Sequence, residues 1–384
     1  MRVLHVTTDL DVGGAQTVLC NLLSRIDPAA FQSEVVSLVG MGPMGPRIQA
    51  LGVPVWPLGM RPGVPDPLGV LRLAGRMRRN RPDVVQTWMH HADLGGGIAA
   101  KLAGGIPVAW GIHHSTVDRR GSKRMTVWTA RACARLSRWL PARIVCCGEA
   151  ARRAHVALGY AAGRMLVIPN GFDVAGFRPD SAARDSVRRE LGLSDSIPLI
   201  GLVARFNQQK GHRTFIQAAG RLHASAPESR FLLCGDGVVW GNPDLVAWID
   251  EARVRDCCYL LGQREDIPRL TAAMDVATSS SFGEAFPIAV GEGMACGVPC
   301  VVTDVGDSAL IVGETGVVVP PRDPEALAAG WRRLLLDTSR EGRLQLGLAA
   351  RQRIAERYSI EKVAAQYEDL YRQMAAHQRV GDIS

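Results

Sequence analysis

The 384-residue sequence contains no run of eighteen apolar residues, so no segment of it reads as a membrane-spanning helix. Its N-terminus, Met1-Arg2-Val3-Leu4-His5-Val6, enters a strand pattern at once and lacks the apolar core and cleavage site of a secretory leader. The expected location is cytoplasmic, at most peripheral on the inner face of the cell membrane. Nine cysteines are present, but Cys146-Cys147 and Cys257-Cys258 are adjacent pairs and Cys296 and Cys300 flank a Gly-Val-Pro turn. None has the spacing of zinc ligands, and all read as reduced, buried thiols. There is no Walker-type Gly-Lys-Ser/Thr, and the first strand is followed by Gly13-Gly14, not by a three-glycine fingerprint. A P-loop NTPase and a dinucleotide-dependent dehydrogenase are therefore disfavoured. No nucleic-acid-binding motif appears, so no nucleic-acid partner is expected.

What is present is a long alternation of strand and helix patterns. Hydrophobic residues make up 47% of the chain, with 41 glycines and 22 prolines, enough for two cores and many tight turns. Strand 3–6, a loop closing on Gly13-Gly14, helix 15–25 and strand 34–38 form a βαβ pattern. Helices at 67–80 and 92–103 and strands at 84–88, 107–112 and 143–147 continue it. After the turn dipeptide Asn170-Gly171 and a charged connector containing Pro179, a second alternation begins. It has strands at 199–204, 231–234, 257–261, 275–279, 298–303 and 316–319, and helices at 212–224, 243–254 and 288–296. Further helices start at Pro324, Ser339 and Ser359. The prediction is an α/β protein of two Rossmann-like doubly wound parallel-sheet domains, 1–170 and 171–358, facing a central cleft that receives ligands at the strands' C-terminal ends.

Charge is divided unequally. Residues 1–180 carry a net charge of +11 and the remainder −3. Between residues 119 and 143 eight basic residues (Arg119, Arg120, Lys123, Arg124, Arg131, Arg135, Arg138, Arg143) occur without one acid. At about 100° per residue, Arg124, Arg131, Arg135 and Arg138 share a helical stripe next to one holding Met125, Trp128, Ala132, Leu136 and Trp139. That pattern fits either a solvated basic helix face or reversible contact with an anionic membrane.

The most informative stretch is Gly283-Glu284-Ala285-Phe286-Pro287-Ile288-Ala289-Val290-Gly291-Glu292. Pro287 suits a helix start, where an N–H is unpaired anyway. Glu284 then lies just outside the helix and Glu292 two turns inside. A helix start presents free N–H groups and partial positive charge, which suits an anionic or hydroxyl-rich ligand framed by the two acids.

Taken in order, Gly13-Gly14-Ala15-Gln16, Asn170-Gly171-Phe172-Asp173 with Phe177 and Pro179, Arg205 with Lys210-Gly211, Gly235-Asp236-Gly237 and the Glu284/Glu292 pair resemble the retaining glycosyltransferases of the GT-B fold, in particular the large GT4 family, over nearly the whole chain. The resemblance implies transfer of a sugar from a nucleoside-diphosphate sugar, most often UDP-linked, to an acceptor hydroxyl without a metal or other cofactor. It implies that Arg205 and Lys210 meet the diphosphate, Glu292 the ribose and Glu284 the sugar, and that Gly13, Gly14, Gly235, Arg264, Ala285, Phe286, Pro287 and Ile288 complete the donor site. By the same resemblance His113, ending Pro107-Val108-Ala109-Trp110-Gly111-Ile112-His113, stands beside the sugar, with His90, His91 and His114 on the acceptor side. The terminal helix, 359–376, is expected to cross back to the first domain. The partners implied are a nucleotide sugar and a saccharide or lipid-linked saccharide of bacterial envelope or exopolysaccharide synthesis. A soluble small-molecule acceptor, a nucleotide-sugar 2-epimerase, a sugar phosphorylase and a non-catalytic sugar-nucleotide binder are the alternatives.

Overall fold

A computed structural model of the chain describes residues 1–114 and 124–381, with side chains described as far as His377. The chain divides into two compact units, one formed by Met1–Gly171 with the chain from Ile360 onward and the other by Phe172–Ser359.

The first unit runs β1 (Arg2–Thr7), α1 (Gly14–Leu23), β2 (Gln32–Ser37), α2 (Met44–Ala50), β3 (Val55–Pro57), α3 (Pro67–Asn80), β4 (Val84–Trp88), α4 (His90–Leu102), β5 (Val108–Ile112), α5 (Arg124–Leu136), β6 (Arg143–Cys146), α6 (Glu149–Ala157) and β7 (Met165–Val167). Its seven strands are all parallel, in the order β3-β2-β1-β4-β5-β6-β7. The central strands are buried on both faces, as expected where helices cover a parallel sheet twice: every residue of β4 and β5 is buried.

The second unit runs α7 (Ser181–Glu190), β8 (Leu199–Val203), α8 (His212–His223), β9 (Arg230–Cys234), α9 (Pro243–Glu251), β10 (Cys258–Leu260), α10 (Ile267–Ala272), β11 (Val276–Ser279), α11 (Ile288–Ala295), β12 (Cys300–Thr303), α12 (Ser308–Val312), β13 (Val317–Val319), α13 (Pro324–Leu335) and α14 (Arg340–Tyr358). Six parallel strands lie in the order β10-β9-β8-β11-β12-β13. Phe215, Phe231 and Trp331 pack their rings at 5.0–6.1 Å in its core. The Trp331 indole N–H donates to Thr278 Oγ1 at 3.0 Å, so the buried ring leaves no unpaired donor.

Helix α15 (Ile360–Gly381) belongs to the first unit, where Val363, Tyr367, Leu370 and Tyr371 are buried. Where the chain enters and leaves the second unit its two ends are paired. The Phe172 N–H donates to the Tyr358 carbonyl at 2.8 Å, and Phe172 and Ser359 form a parallel bridge.

Helix starts follow their caps. Asp66 accepts the Gly69 N–H at 2.8 Å ahead of Pro67, Asn242 caps α9 ahead of Pro243, and Asp323 caps α13 ahead of Pro324. Differences from the sequence reading lie in short elements and ends: α2, β3, α6, β7 and α12 were not anticipated, and α4 begins at His90, two residues early. Eight of the nine cysteines are buried and Cys20 is half-buried, all as free thiols. Among the described residues no helix is long and apolar enough to cross a membrane.

Candidate functional site

In the second unit the strand order reverses between β8 and β11, the point at which open α/β sheets receive ligands. The loop after β8 carries Arg205 and ends in a 3-10 turn, Gln208–Lys210, closed by Gly211 at φ 68°. A Cβ on Gly211 would lie 1.9 Å from the Ser280 carbonyl oxygen, so both its conformation and its neighbour demand glycine. That close approach fastens the loops after β8 and β11 together: the Phe282 N–H donates to the Gln209 carbonyl at 2.7 Å and Ser280 Oγ to the Lys210 carbonyl at 3.0 Å.

The fastening brings Lys210 and Glu284 together. Lys210 Nζ donates to Glu284 Oε1 at 2.5 Å, and Ser281 Oγ donates to the same oxygen at 2.7 Å. Both partners of the ion pair are largely sheltered, where charge-assisted hydrogen bonds gain strength. Ser281 was not singled out from sequence; its signal is the run Ser279-Ser280-Ser281 at a strand's C-terminal end. Arg205 is exposed at the end of β8. Gly235, at φ 152°, lies against the backbone beneath it: a Cβ there would come within 2.2 Å of the Ala204 carbonyl oxygen and 2.7 Å of the Arg205 nitrogen.

Pro287 caps α11 and Ile288 is its first residue. Phe286 turns inward, stacked on Phe172 at 5.9 Å and edge-on to Tyr358 at 5.7 Å, so that segment offers a ligand its backbone, not its aromatic ring. Ala285 receives the Asp307 N–H on its carbonyl at 3.2 Å. Glu292 is recessed in the second turn of α11, where burial pushes its carboxyl up to about 7. Arg322, which the sequence reading did not select, lies over the Phe282 ring at 4.9 Å. Arg264 is committed elsewhere: its guanidinium binds Asp266 at 2.8 Å and Glu190 at 3.0 Å, in a network that includes Arg269.

In the first unit the strand order reverses between β1 and β4. Gly13 caps α1 in extended conformation, and Gln16 behind it donates to Asp9 Oδ1 at 2.7 Å. His113, just past β5, stacks on Trp88 at 4.9 Å and 18°. Both its ring nitrogens are enclosed without a hydrogen-bond partner, and burial pushes its pKa down to about 3, so at neutral pH the ring is uncharged. His90 is buried, its Nε2 3.5 Å from His155 Nε2, while His91 Nδ1 faces Thr129 Oγ1 at 3.3 Å and His114 is exposed. His90 is thus directed into the interior of the unit.

Two short patterns need separate treatment. Gly40-Met41-Gly42-Pro43-Met44-Gly45 has dinucleotide-fingerprint spacing but lies after the second strand. Its Gly42 is packed on Leu10, and the N–H groups of Met44 and Gly45 are taken by the carbonyls of Leu10 and Met41, so it serves as a packing turn. One Asp-x-Asp occurs, Asp9-Leu10-Asp11; there Asp9 Oδ1 accepts the Asp11 N–H at 3.2 Å as well as Gln16. Among the described residues no three His, Cys, Asp or Glu side chains are grouped as metal ligands.

Residues 12–175 match the family described as Glycosyltransferase Family 4, and residues 197–337 match that described as Glycosyl transferases group 1. The chain is 28% identical over 325 residues to EpsF of Bacillus subtilis (strain 168), named as a candidate glycosyltransferase, with 79% of each chain covered. It is 25% identical over 322 residues to the Escherichia coli UDP-Gal:alpha-D-GlcNAc-diphosphoundecaprenol alpha-1,3-galactosyltransferase, covering 82% of this chain and 81% of that one. The crystal structure of Anabaena Alr3699/HepE in complex with UDP superposes with a TM-score of 0.85 at 20% identity, over 97% of this chain and all of that one. With one family match in each unit and the same architecture in solved relatives, the chain belongs to the GT4-type glycosyltransferases of the GT-B fold.

Proposed function

We propose that this enzyme moves a sugar from a UDP-sugar to a hydroxyl of a saccharide or lipid-linked saccharide, with the anomeric configuration retained, in the building of a bacterial envelope or extracellular glycan. The observation that carries the donor half is the Lys210–Glu284–Ser281 cluster at the second unit's switch point, on a loop shared with Arg205 and followed by the start of α11. When the sugar leaves, negative charge grows on the diphosphate, and Lys210 and Arg205 are the cations available to meet it. The backbone N–H groups of Ala285, Phe286 and Ile288 add polar contacts that Pro287 cannot. Glu284, already fixed by Lys210 and Ser281, faces the sugar hydroxyls; Glu292 accepts from the ribose diol; Gly13 and Gly14 let backbone approach the donor; Gly235 keeps Arg205 in place. His113, as an uncharged imidazole, stands beside the sugar. The leaving phosphate assists deprotonation of the acceptor, with no metal required. The named use of a UDP-sugar by the Escherichia coli relative supports the nucleotide, and its lipid-linked acceptor supports that class of acceptor.

The test is product analysis over a panel of UDP-sugars with lipid-linked and soluble acceptors in the presence of EDTA. An acceptor-dependent glycoside of unchanged anomeric configuration is expected. An epimer formed from UDP-sugar alone, or tight UDP binding with no turnover on any acceptor, would overturn the reading.

The proposal includes reversible membrane contact through α5. Its buried face is Val127, Thr129, Ala130, Cys133 and Ala134, while Arg124, Arg131, Arg135 and Arg138 are exposed together with Trp128 and Trp139, at 62% and 69%. Arg119, Arg120 and Lys123 lie outside the described residues. Lys101, Arg143 and Arg164 line a cavity of about 590 Å³ that also includes Trp139. At about 1 kcal/mol per basic residue near an anionic leaflet, the three arginines of α5 and Arg138 just past its end supply roughly 4 kcal/mol, about three decades of partitioning. In flotation assays the enzyme is expected to rise with anionic vesicles and not with neutral ones, and Trp128→Ala with Trp139→Ala to weaken this. Equal binding to both vesicles, or to neither, removes membrane contact from the proposal.

A further inference from the structure

The first turn of α4 holds the strand end that carries His113. Met89, at φ 78° although not a glycine, donates its N–H to the Gly111 carbonyl at 2.9 Å. Asp93, fully buried, accepts the Gly111 N–H on Oδ1 at 3.1 Å. Both backbone polar groups of Gly111 are therefore held by α4, two residues before His113. The fit is tight: a Cβ on Gly111 would lie 2.4 Å from the Thr87 carbonyl oxygen.

The hydrogen-bond pattern around Asp93 fixes where protons must be. His155 Nδ1 lies 2.9 Å from the Ala151 carbonyl oxygen, which only accepts, so that nitrogen bears the proton and His155 Nε2 bears a lone pair. His90 Nε2, 3.5 Å away, must then donate, which leaves His90 Nδ1 as a lone pair. That lone pair faces Asp93 Oδ2 at 3.9 Å, and Oδ2 is buried with no hydrogen-bond partner. On the other oxygen, the single proton of Thr87 Oγ1 has two acceptors, Asp93 Oδ1 at 2.5 Å and the Ala109 carbonyl at 3.2 Å. An ionised Asp93 would leave the site one donor short; one proton on the carboxyl supplies it.

We propose that Asp93 is held as a neutral carboxylic acid and is a positioning residue, which through Gly111 sets the place of His113. The titratable groups around it are His90 on α4, His155 on α6, Cys133 on α5, Cys146 on β6 and Tyr160 after α6. None is a cation that would favour the carboxylate, and burial outweighs the donors from Thr87 and Gly111, raising the carboxyl to about 8. The positional part rests on the proposed role of His113; the protonation does not.

Asp93→Asn keeps the shape of the protonated acid, with an amide N–H toward His90 and a carbonyl toward Gly111 and Thr87. It is expected to retain most of the turnover, whereas Asp93→Ala should lower kcat on the order of 10²-fold, as loss of sub-ångström placement does, with UDP affinity unchanged. Infrared difference spectra at pH 7 should show a protonated-carboxyl band in the wild type that Asp93→Asn lacks; this readout survives if Asp93→Ala does not fold. Absence of the band, or an Asp93→Asn enzyme as impaired as one lacking the carboxyl, overturns the neutral acid. A fully active His113→Ala alongside an intact band would sink the positional role and the part given to His113, and leave the protonation standing.

Discussion

Replacing Lys210 with alanine should reduce turnover by about 10²- to 10³-fold, the usual effect of removing one fixed donor from developing transition-state charge. Arg205→Ala should fall in the same range. The two variants differ in what they leave behind. Arg205 is exposed, so its loss changes only the charge available to a ligand. Lys210 is paired with Glu284 at 2.5 Å, and removing it leaves a sheltered carboxylate, which also accepts from Ser281, without its cation. Some loss of thermal stability is therefore expected for Lys210→Ala and none for Arg205→Ala. Initial rates of UDP release, read together with melting curves, separate the two effects. Wild-type turnover in both folded variants would remove the cations from the donor site and with them the proposed mechanism.

The second large effect is expected at Glu292. A carboxylate accepting from two ribose hydroxyls makes charge-assisted bonds worth about 1.5–3 kcal/mol, so Glu292→Gln should weaken UDP by roughly tenfold to a hundredfold. Burial raises this carboxyl to about 7, which gives the effect a pH signature. The ribose favours the ionised form, so binding expels the proton, and affinity should rise from pH 6 to pH 8 and then level off. In the free protein the sign is opposite: the folded state holds a proton that the unfolded chain has lost, so this group's contribution to stability declines as pH rises from the ordinary carboxylate range through 7. UDP ionises in part of the same window, but equally with both proteins, so titration calorimetry on wild type and Glu292→Gln isolates the carboxyl by difference. Parallel profiles for the two would mean that Glu292 does not meet the nucleotide.

Much of the architecture is legible in the sequence for a simple reason. Strands buried on both faces of a parallel sheet, such as Val108-Ala109-Trp110-Gly111-Ile112 and Leu199-Ile200-Gly201-Leu202-Val203, read as nearly continuous apolar runs, and Asp66-Pro67 or Asn242-Pro243 mark helix starts through capping chemistry. What escapes is short or at an edge. β3 has three residues, two of them exposed, and β7 three half-buried ones, too few for a period to show. Side-chain pairing escapes for another reason. Lys210 and Glu284 are 74 positions apart, and only the crossing at the switch point joins them. Arg264 reads as a cation after a strand, yet Asp266 and Glu190 take its guanidinium. Asp93 reads as an ordinary acid in a helix's first turn; that it lies between Thr87, Gly111 and His90 depends on three separate elements meeting in the interior.

The pairing of Phe172 with Tyr358 and Ser359 makes the second unit, in chain topology, an insertion whose two ends touch. Such a segment can be lifted out with a pair of cuts and another put back without stretching the flanking chain. Recombination at these two neighbouring joints would exchange the whole half that carries Lys210, Glu284 and Glu292, and leave the half with His113 and α5 untouched. If the second unit holds the donor and the first the acceptor, as proposed, a lineage built this way changes the sugar it spends independently of the molecule it decorates.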